Sequence, residues 1–126
     1  MVTTNKDYNG VIHFFVKFMK DTDPQAVIVS TSFPSPKEAK LFAHQVLERR
    51  LVTCCNIIPS VTSIYRWKGE LLEEQECLVE MKTTQSRYSS LEELINEVHP
   101  YDLPMLVVTP ITGSDKYITW IKEGIL

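Results

Sequence analysis

Glycine and cysteine are scarce in this chain, and the scarcity of each excludes a class of chemistry. With only four glycines among 126 residues, there is no glycine-rich phosphate-binding loop, no G-x-S-x-G nucleophile elbow and no H-E-x-x-H zinc motif. Three cysteines, two of them adjacent, do not make a disulfide framework, so we expect reduced thiols in a cytoplasmic protein. The sequence therefore predicts a binding protein rather than an enzyme.

Basic residues are not in excess, and long apolar runs are missing from the sequence. The 13 lysines and arginines are outnumbered by 16 aspartates and glutamates, which gives a net charge of −3. Nucleic acids and anionic membranes select basic surfaces, so we expect neither of them as a partner. An apolar content of 44% in a chain of this length suits one domain with a single core.

The first 25 residues form a separate segment in the predicted organisation. Residues 11–19 are unusually apolar, and the linker-like Asp21-Thr22-Asp23-Pro24 follows them. Their spacing fits one face of a helix, but the aromatic side chains also suit a strand. We interpret residues 1–25 as an N-terminal extension that covers a hydrophobic surface of a domain at residues 26–126. A membrane-surface anchor is the alternative.

Two strands folded on one turn dominate the predicted domain. The residues from Thr53 to Thr84 form two arms around the turn Trp67-Lys68-Gly69-Glu70. Each arm has roughly 14–15 residues and reaches roughly 45–50 Å, whereas a domain of this size has a radius of gyration of about 14 Å. We therefore expect the hairpin to extend beyond its own domain and to pack on other copies of the chain.

Side-chain alternation predicts which residues share a face of this hairpin. On the first arm, one parity and hence one face is shared by Cys55, Ile57, Val61, Tyr65 and Trp67. On the second arm, one face carries Cys77, Val79 and Met81, and the other carries Glu74, Glu76, Glu80 and Lys82. Pro59 predicts a bulge or an edge in the first arm, because proline cannot donate to the strand ladder.

Helix-start signals flank the hairpin on both sides. Ser35, with Pro36 and Glu38 after it, forms a capping box that predicts a first helix. Ser90 and Glu93 predict the start of a second helix in the same way, and this helix ends before a Pro.

Two further strands and one helix complete the pattern. The apolar runs at residues 26–32 and 105–111 predict buried strands, and a last helix ends at Gly124. The order β-α-β-β-α-β-α predicts an α+β class: a ferredoxin-like antiparallel sheet with a long β-hairpin and a C-terminal helix.

The densest polar cluster follows the second predicted helix. His99 and Asp102 are candidate ligands of a divalent metal ion, with Glu97 as a third oxygen donor. Cys54 and Cys55 point to opposite faces of a strand, so at most one thiol can join this site, and we take Cys55 as the candidate. A histidine at a helix C-terminus is also favourable through the helix dipole alone, and a buried cysteine is usually only a small apolar residue.

Aromatic residues near the hairpin turn suggest a second kind of site. Tyr65, Trp67 and Tyr101 are candidates for the wall of a small-molecule pocket, with Lys82 as a contact for an anion. The alternative is that Tyr65 and Trp67 form an oligomer interface, where aromatic residues are enriched.

Several motifs in fixed order and spacing point to one known family. They are Leu47-Glu48-Arg49-Arg50-Leu51-Val52-Thr53-Cys54-Cys55-Asn56, Ile58-Pro59, Ser63-Ile64-Tyr65-Arg66-Trp67-Lys68-Gly69, Glu76, Lys82-Thr83, His99-Pro100-Tyr101-Asp102 and Tyr117-Ile118-Thr119-Trp120-Ile121. Over about residues 27–121 the chain resembles the CutA divalent-cation tolerance proteins.

This resemblance implies a ferredoxin-like homotrimer whose long hairpins wrap neighbouring subunits. It implies clefts between subunits, similar in layout to those of the PII signalling proteins. The residues that would line or border such a cleft are Tyr65, Trp67, Lys82, Thr83, His99, Tyr101 and Asp102. The family is linked to tolerance of copper and other divalent ions, so Cu²⁺ or another divalent cation is the expected cofactor. Alternatives are a PII-like sensor of a small anionic metabolite and a scaffold without a ligand.

The chain departs from the family pattern at positions that matter for metal binding. Some bacterial members bind copper through a first-strand cysteine and a doubled histidine, where this chain has Thr31 and Val98 before His99. Met105 replaces the usual glutamate after the second proline, and Asp102 stands where glutamate is commoner. The resemblance therefore implies a cleft in this chain that has one carboxylate fewer than is usual in the family.

Overall fold

The computed structural model describes residues 25–126, so the predicted extension at residues 1–25 lies almost wholly outside the described part. The chain forms four strands and three α-helices: β1 (Ala26–Phe33), α1 (Pro36–Glu48), β2 (Cys54–Trp67), β3 (Glu70–Thr84), α2 (Tyr88–Val98), β4 (Val107–Pro110) and α3 (Asp115–Glu123). A 3₁₀ turn at Gln85–Arg87 joins β3 to α2. Among residues 25–126, no helix is long and apolar enough to cross a bilayer.

The strands form one antiparallel sheet in the order β2-β3-β1-β4, which confirms the predicted ferredoxin-like α+β fold. Helices α1 and α2 cover one face of this sheet, which we call the helix-covered face. The core between them includes Phe42, Val46, Leu91 and Ile95 from the helices and Val29, Val79 and Met81 from the strands. The predicted last strand is shorter than residues 105–111, because only residues 107–110 pair with β1.

The hairpin of β2 and β3 has the predicted length, with arms of 14 and 15 residues. Its turn has positive φ at both Lys68 (49°) and Gly69 (82°), as a two-residue type I′ hairpin turn requires. Only residues 77–84 of β3 pair with β1, so the part of β3 before Cys77 has β2 as its single strand neighbour. The hairpin thus extends beyond the sheet, and we call residues 61–76 the distal hairpin.

A bulge lies where Pro59 predicts one, and it makes part of the predicted face assignment wrong. The register moves from Ile58 opposite Leu78 to Val61 opposite Glu76, so β2 has one more residue here than β3. Ser60 takes up the extra length with a positive φ of 64°. Because one inserted residue reverses side-chain alternation, Cys55 and Ile57 face the helices while Tyr65 and Trp67 face the other side.

The first helix begins as predicted, whereas the second does not. The Ser35 hydroxyl accepts a hydrogen bond from the Glu38 backbone N–H at 3.3 Å and caps α1. Helix α2 begins at Tyr88, two residues before the predicted cap, and the side chain of Arg87 at its N-cap makes no capping hydrogen bond. The 3₁₀ turn that leaves β3 runs directly into α2, so the turn sets the start of this helix and Ser90 lies within its first turn.

Helix α3 closes the chain against the base of the hairpin. Ile121 is fully buried, and its carbonyl accepts a hydrogen bond from the Thr53 hydroxyl. Gly124 follows α3 with an ordinary helical φ of −68°, so no left-handed conformation is needed there. The requirement for glycine is close approach, since a Cβ at this position would overlap the Thr53 side chain.

Candidate functional site

A cleft of about 790 Å³ lies between the distal hairpin and the loop at residues 100–105. Three aromatic residues predicted for a pocket, Tyr65, Trp67 and Tyr101, line it together. Asp102 lines it as well, so the structure brings together four of the predicted site residues. This volume is in the range of small-molecule sites, which places the candidate site in this cleft.

Two glutamates of β3 complete the wall of the cleft. Glu74 and Glu76 line it because the pairing of the distal hairpin puts them on the same side as Tyr65 and Trp67. The Tyr101 hydroxyl donates a hydrogen bond of 3.1 Å to Glu76 Oε2. Burial, followed by the charge of Glu76, raises the pKa of Tyr101, and a hydrogen bond with Glu74 raises the pKa of Tyr65. Both phenols therefore stay protonated near neutral pH and donate to carboxylates.

His99 holds the loop of the cleft rather than lining it. Its Nδ1 accepts a hydrogen bond from the Tyr101 backbone N–H at 3.1 Å, and its Nε2 lies 2.6 Å from the Ser32 carbonyl. A neutral imidazole with its proton on Nε2 satisfies both contacts. The ring stacks on Phe33 with centroids 4.4 Å apart, and burial lowers the pKa of His99. Metal coordination by this imidazole would require one of these two hydrogen bonds to break.

The candidate metal ligands are not gathered at one place within the chain. Cys55 lies opposite Met81 on the helix-covered face, whereas His99 stacks on Phe33, which lies opposite Cys77. Four residue pairs along β3 separate these positions, about 13 Å at the usual strand rise. Burial also raises the pKa of the Cys55 thiol to about 12, which opposes the thiolate that metals bind. Within residues 25–126, no three His, Cys, Asp or Glu side chains are grouped closely enough to hold a metal ion.

Lys82 and Thr83 belong to the base of the hairpin, away from the cleft of the same chain. Lys82 lies six residues beyond Glu76 on β3, about 20 Å at the usual strand rise, and its Nζ donates a 2.9 Å hydrogen bond to the Tyr117 hydroxyl. That bond is the main reason that the pKa of Lys82 is raised. Thr83 is fully buried and donates a 2.7 Å hydrogen bond to the Leu51 carbonyl.

Sequence reasoning missed Glu74 and Glu76 as cleft residues because it continued the face of Cys55 and Ile57 unbroken to Tyr65 and Trp67. The bulge at Pro59 ends that alternation. Beyond it, the turn pairs Trp67 with Glu70, and this pairing puts the aromatic residues on the acidic face.

Comparisons with known proteins agree with this fold and with the motifs that surround the cleft. Residues 27–124 match the model of the family described as CutA1 divalent ion tolerance protein. The chain is 41% identical over 98 residues to the divalent-cation tolerance protein CutA of Thermus thermophilus, a match that covers 77% of this chain and 95% of that protein. It is 38% identical over 99 residues to the human protein CutA, covering 75% of this chain but 55% of the human protein.

Solved structures give the same result. The Thermus thermophilus divalent cation tolerance protein (Cut A1) superposes with a TM-score of 0.76 at 40% identity, over 79% of this chain and 97% of that one. CutA1 of Oryza sativa gives a TM-score of 0.77 at 30% identity, over 82% of this chain and 96% of that one. The chain belongs to the CutA1 divalent ion tolerance protein family.

Proposed function

We propose that the protein acts in tolerance of divalent metal ions, copper among them, as a homotrimer that binds a cation or another small ligand at clefts between subunits. The observation that carries this proposal is the distal hairpin, which leaves its own sheet with none of its side chains buried. A two-stranded hairpin is marginal in water by itself, so contact with further copies of the chain stabilises it.

Exposed apolar side chains of the distal hairpin support assembly. Ile64 is 62% exposed and Leu71 is 69% exposed, and the register places both on the side of the hairpin opposite Tyr65. Beyond the hairpin, Met105 and Val107 are also exposed near the outer edge of β4. Apolar surface at the projecting part and at a strand edge suits contacts between identical subunits.

Light scattering after size-exclusion chromatography tests the assembly at micromolar protein concentration. The expected mass is about three times the 14.5 kDa of one chain. Ile64→Glu should give a monomer, because it places a charge in the proposed contact. Leu41→Glu is the matched control, since Leu41 on α1 is similarly exposed at 64% and should leave the trimer intact. A monomeric wild-type protein would contradict the proposal.

The charge of the cleft supports a cationic ligand. Glu74, Glu76 and Asp102 line it against a single cation, Arg66. Since residues 25–126 of one chain hold no three-ligand group, a metal ion would need donors from a neighbouring subunit as well. We propose Asp102 as the anchoring ligand from this chain. His99 and Cys55 remain predicted ligands that would have to leave their present contacts.

Calorimetric titration with Cu(II) tests the metal site. Asp102→Asn removes the anchoring charge and should weaken binding by about tenfold, the cost of one charge-assisted contact. His99→Ala tests the predicted imidazole ligand. Asp115→Asn on α3 is the control and should bind as the wild type does. Two results would exclude this site. One is heats of Cu(II) titration equal to those of dilution, and the other is wild-type binding in both the Asp102→Asn and the His99→Ala variants.

A second candidate function is the sensing of a small anionic metabolite through Lys82. The observation in its favour is the Lys82 ammonium, which is partly exposed beside Tyr117 on the side of the sheet away from α1 and α2. Citrate as a test anion should then raise the melting temperature of the wild type but not of Lys82→Met. The remaining alternative, a scaffold without a ligand, predicts no rise in melting temperature with citrate or with Cu(II).

We also propose that the protein binds its ligand without catalysing a reaction. Its proposed location is the cytoplasm. The family description and the name of the Thermus thermophilus relative refer to ion tolerance and to no reaction. The structure of the Archaeoglobus fulgidus relative is titled as that of a periplasmic protein, so fractionation of cells that express this chain is the direct test of its location.

A further inference from the structure

The cleft combines carboxylates with exposed aromatic faces, and this combination selects one class of cation. The pairing of β2 with β3 places Tyr65 and Trp67 on the same side of the distal hairpin as Glu74 and Glu76. A hydrated divalent ion gains from the carboxylates but has little use for ring faces. An organic ammonium ion uses both, since its charge pairs with carboxylates and its C–H groups pack over aromatic rings.

The chain shows this chemistry within itself. The Lys68 ammonium, next to Trp67 in the hairpin turn, lies 5.8 Å from the centroid of the Trp67 ring. That distance is within the range in which an ammonium ion is attracted to an indole face. Trp67 is 37% exposed, so part of its surface remains accessible from the cleft.

The hydrogen bonds of the wall orient its carboxylates for a ligand. Glu76 accepts from the Tyr101 hydroxyl through Oε2, which fixes the orientation of its side chain. Tyr101 in turn is positioned by its backbone N–H, which donates to His99 Nδ1. A carboxylate held in this way loses little side-chain entropy when a cation arrives.

Size separates an organic cation from a bare metal ion. The cleft of about 790 Å³ is far larger than a metal ion, and no three potential ligands within residues 25–126 approach one another closely enough for coordination. An amine of a few carbons can bridge carboxylates that stand apart, with one ammonium group near each.

We propose that this cleft binds a small organic amine as its ammonium ion, with Glu76 as the main charge partner and Trp67 and Tyr65 as the stacking surface. The inference rests on the proposed function in one respect, because it names the small ligand of the same cleft.

Fluorescence titration with putrescine, a diamine that is doubly charged at neutral pH, tests this proposal. The chain has two tryptophans, so Trp120→Phe leaves Trp67 as the single reporter in the cleft. We expect saturable quenching with putrescine at concentrations up to about 10 mM, in the range of weak small-molecule binding, and no saturable quenching with potassium chloride at matched ionic strength.

Two substitutions on β3 give the matched comparison. Glu76→Gln keeps an oxygen acceptor for the Tyr101 hydroxyl but removes the charge, and it should weaken putrescine binding by about tenfold. Glu80→Gln lies on the same side of β3 outside the cleft, opposite Asn56, and should leave binding unchanged. Quenching that potassium chloride reproduces, or equal affinity in the Glu76→Gln variant, would overturn the proposal.

The assembly and Cu(II) experiments report on the proposed function separately. A protein that forms a trimer and binds Cu(II) but ignores putrescine overturns this inference alone. A monomeric chain that binds putrescine through Glu76 overturns the proposed assembly and supports the amine site.

Discussion

The two halves of the β2–β3 hairpin share one continuous pair of strands but differ in their strand neighbours and in the burial of their side chains. In the base, residues 77–84 of β3 pair with β1, and residues 78–82 also pair with β2. Cys77, Val79 and Met81 have at most 1% of their surface exposed. In the distal hairpin, β3 pairs with β2 alone and no side chain is buried. One pair of strands therefore contributes core at one end and cleft at the other, with the bulge as the boundary between them.

This division separates stability from binding along a single element. Truncation of a side chain in the base removes packing against α1 and α2. This packing determines whether the chain folds. Substitution in the distal hairpin alters surface that the monomer does not need for its fold. The following experiments test this contrast, from the largest expected effect to the smallest.

Met81→Ala should cause the largest loss, because it leaves a cavity in the fully buried centre of the base. We expect a decrease of about 2–5 kcal/mol in the free energy of unfolding, measured by urea denaturation. The matched truncation is Leu71→Ala in the distal hairpin, which should cost less than about 1 kcal/mol. Both are made in the Ile64→Glu background, so that assembly does not contribute. Equal losses would abolish the distinction between base and distal hairpin.

Two buried threonines, Thr83 in the base and Thr31 on the neighbouring strand β1, should respond to the same substitution with opposite signs. Thr83→Val removes the donor to the Leu51 carbonyl and should cost about 1–3 kcal/mol. The Thr31 hydroxyl is buried without a hydrogen-bond partner in residues 25–126, so Thr31→Val should stabilise by about 1 kcal/mol. Thermal unfolding of the two variants measures the difference. Destabilisation by Thr31→Val would show that this hydroxyl has a partner.

Ser60→Gly tests the bulge, which separates the base from the distal hairpin. Ser60 has a positive φ of 64°, which costs an L-residue more than it costs glycine. We expect stabilisation of about 0.5–1 kcal/mol in urea, with the cleft retained. Ser63→Gly, in regular β2 just beyond the bulge, should instead destabilise by about the same amount. If both glycines destabilise equally, the bulge carries no backbone strain.

The pH dependence of stability tests the contact that joins the cleft loop to β1. Because burial lowers the pKa of His99, the folded chain resists a proton that the unfolded chain accepts below about pH 6.5. The contribution of this group is therefore constant above that pH, and stability falls as the pH decreases from 6.5 through the lowered value. Urea unfolding at several pH values should show this decrease in the wild type and a smaller one in His99→Gln. An identical slope in the two proteins would rule out His99 as its source.

Sequence patterns predicted the parts of this molecule that depend on local chemistry. Ser35 caps α1, the Lys68-Gly69 turn closes the hairpin and Pro59 marks the bulge, because each depends on the conformational preference of one or two residues. The start of α2 was missed because a 3₁₀ turn, which has no comparable signature, precedes it.

The composition of the cleft was harder to predict, since it depends on the pairing of the two arms beyond the bulge. A proline indicates that a ladder is interrupted but leaves open how many residues are inserted there. An error of one residue moves every side chain beyond it to the other face. For this reason Tyr65 and Trp67 were predicted as pocket residues, but without the carboxylates of Glu74 and Glu76 that share the cleft with them.

The single extra residue at Ser60 also bears on which genetic changes the cleft tolerates. Point substitutions in the distal hairpin exchange one side chain at a time and keep the aromatic and acidic residues together. Deletion of the Ser60 codon would leave one residue between Ile58, opposite Leu78, and Val61, opposite Glu76, so the pairing on both sides of the bulge would stay in register. Tyr65 would remain opposite Leu72, so one deletion could remove the bulge while the fold and the ligand surface of this protein persist.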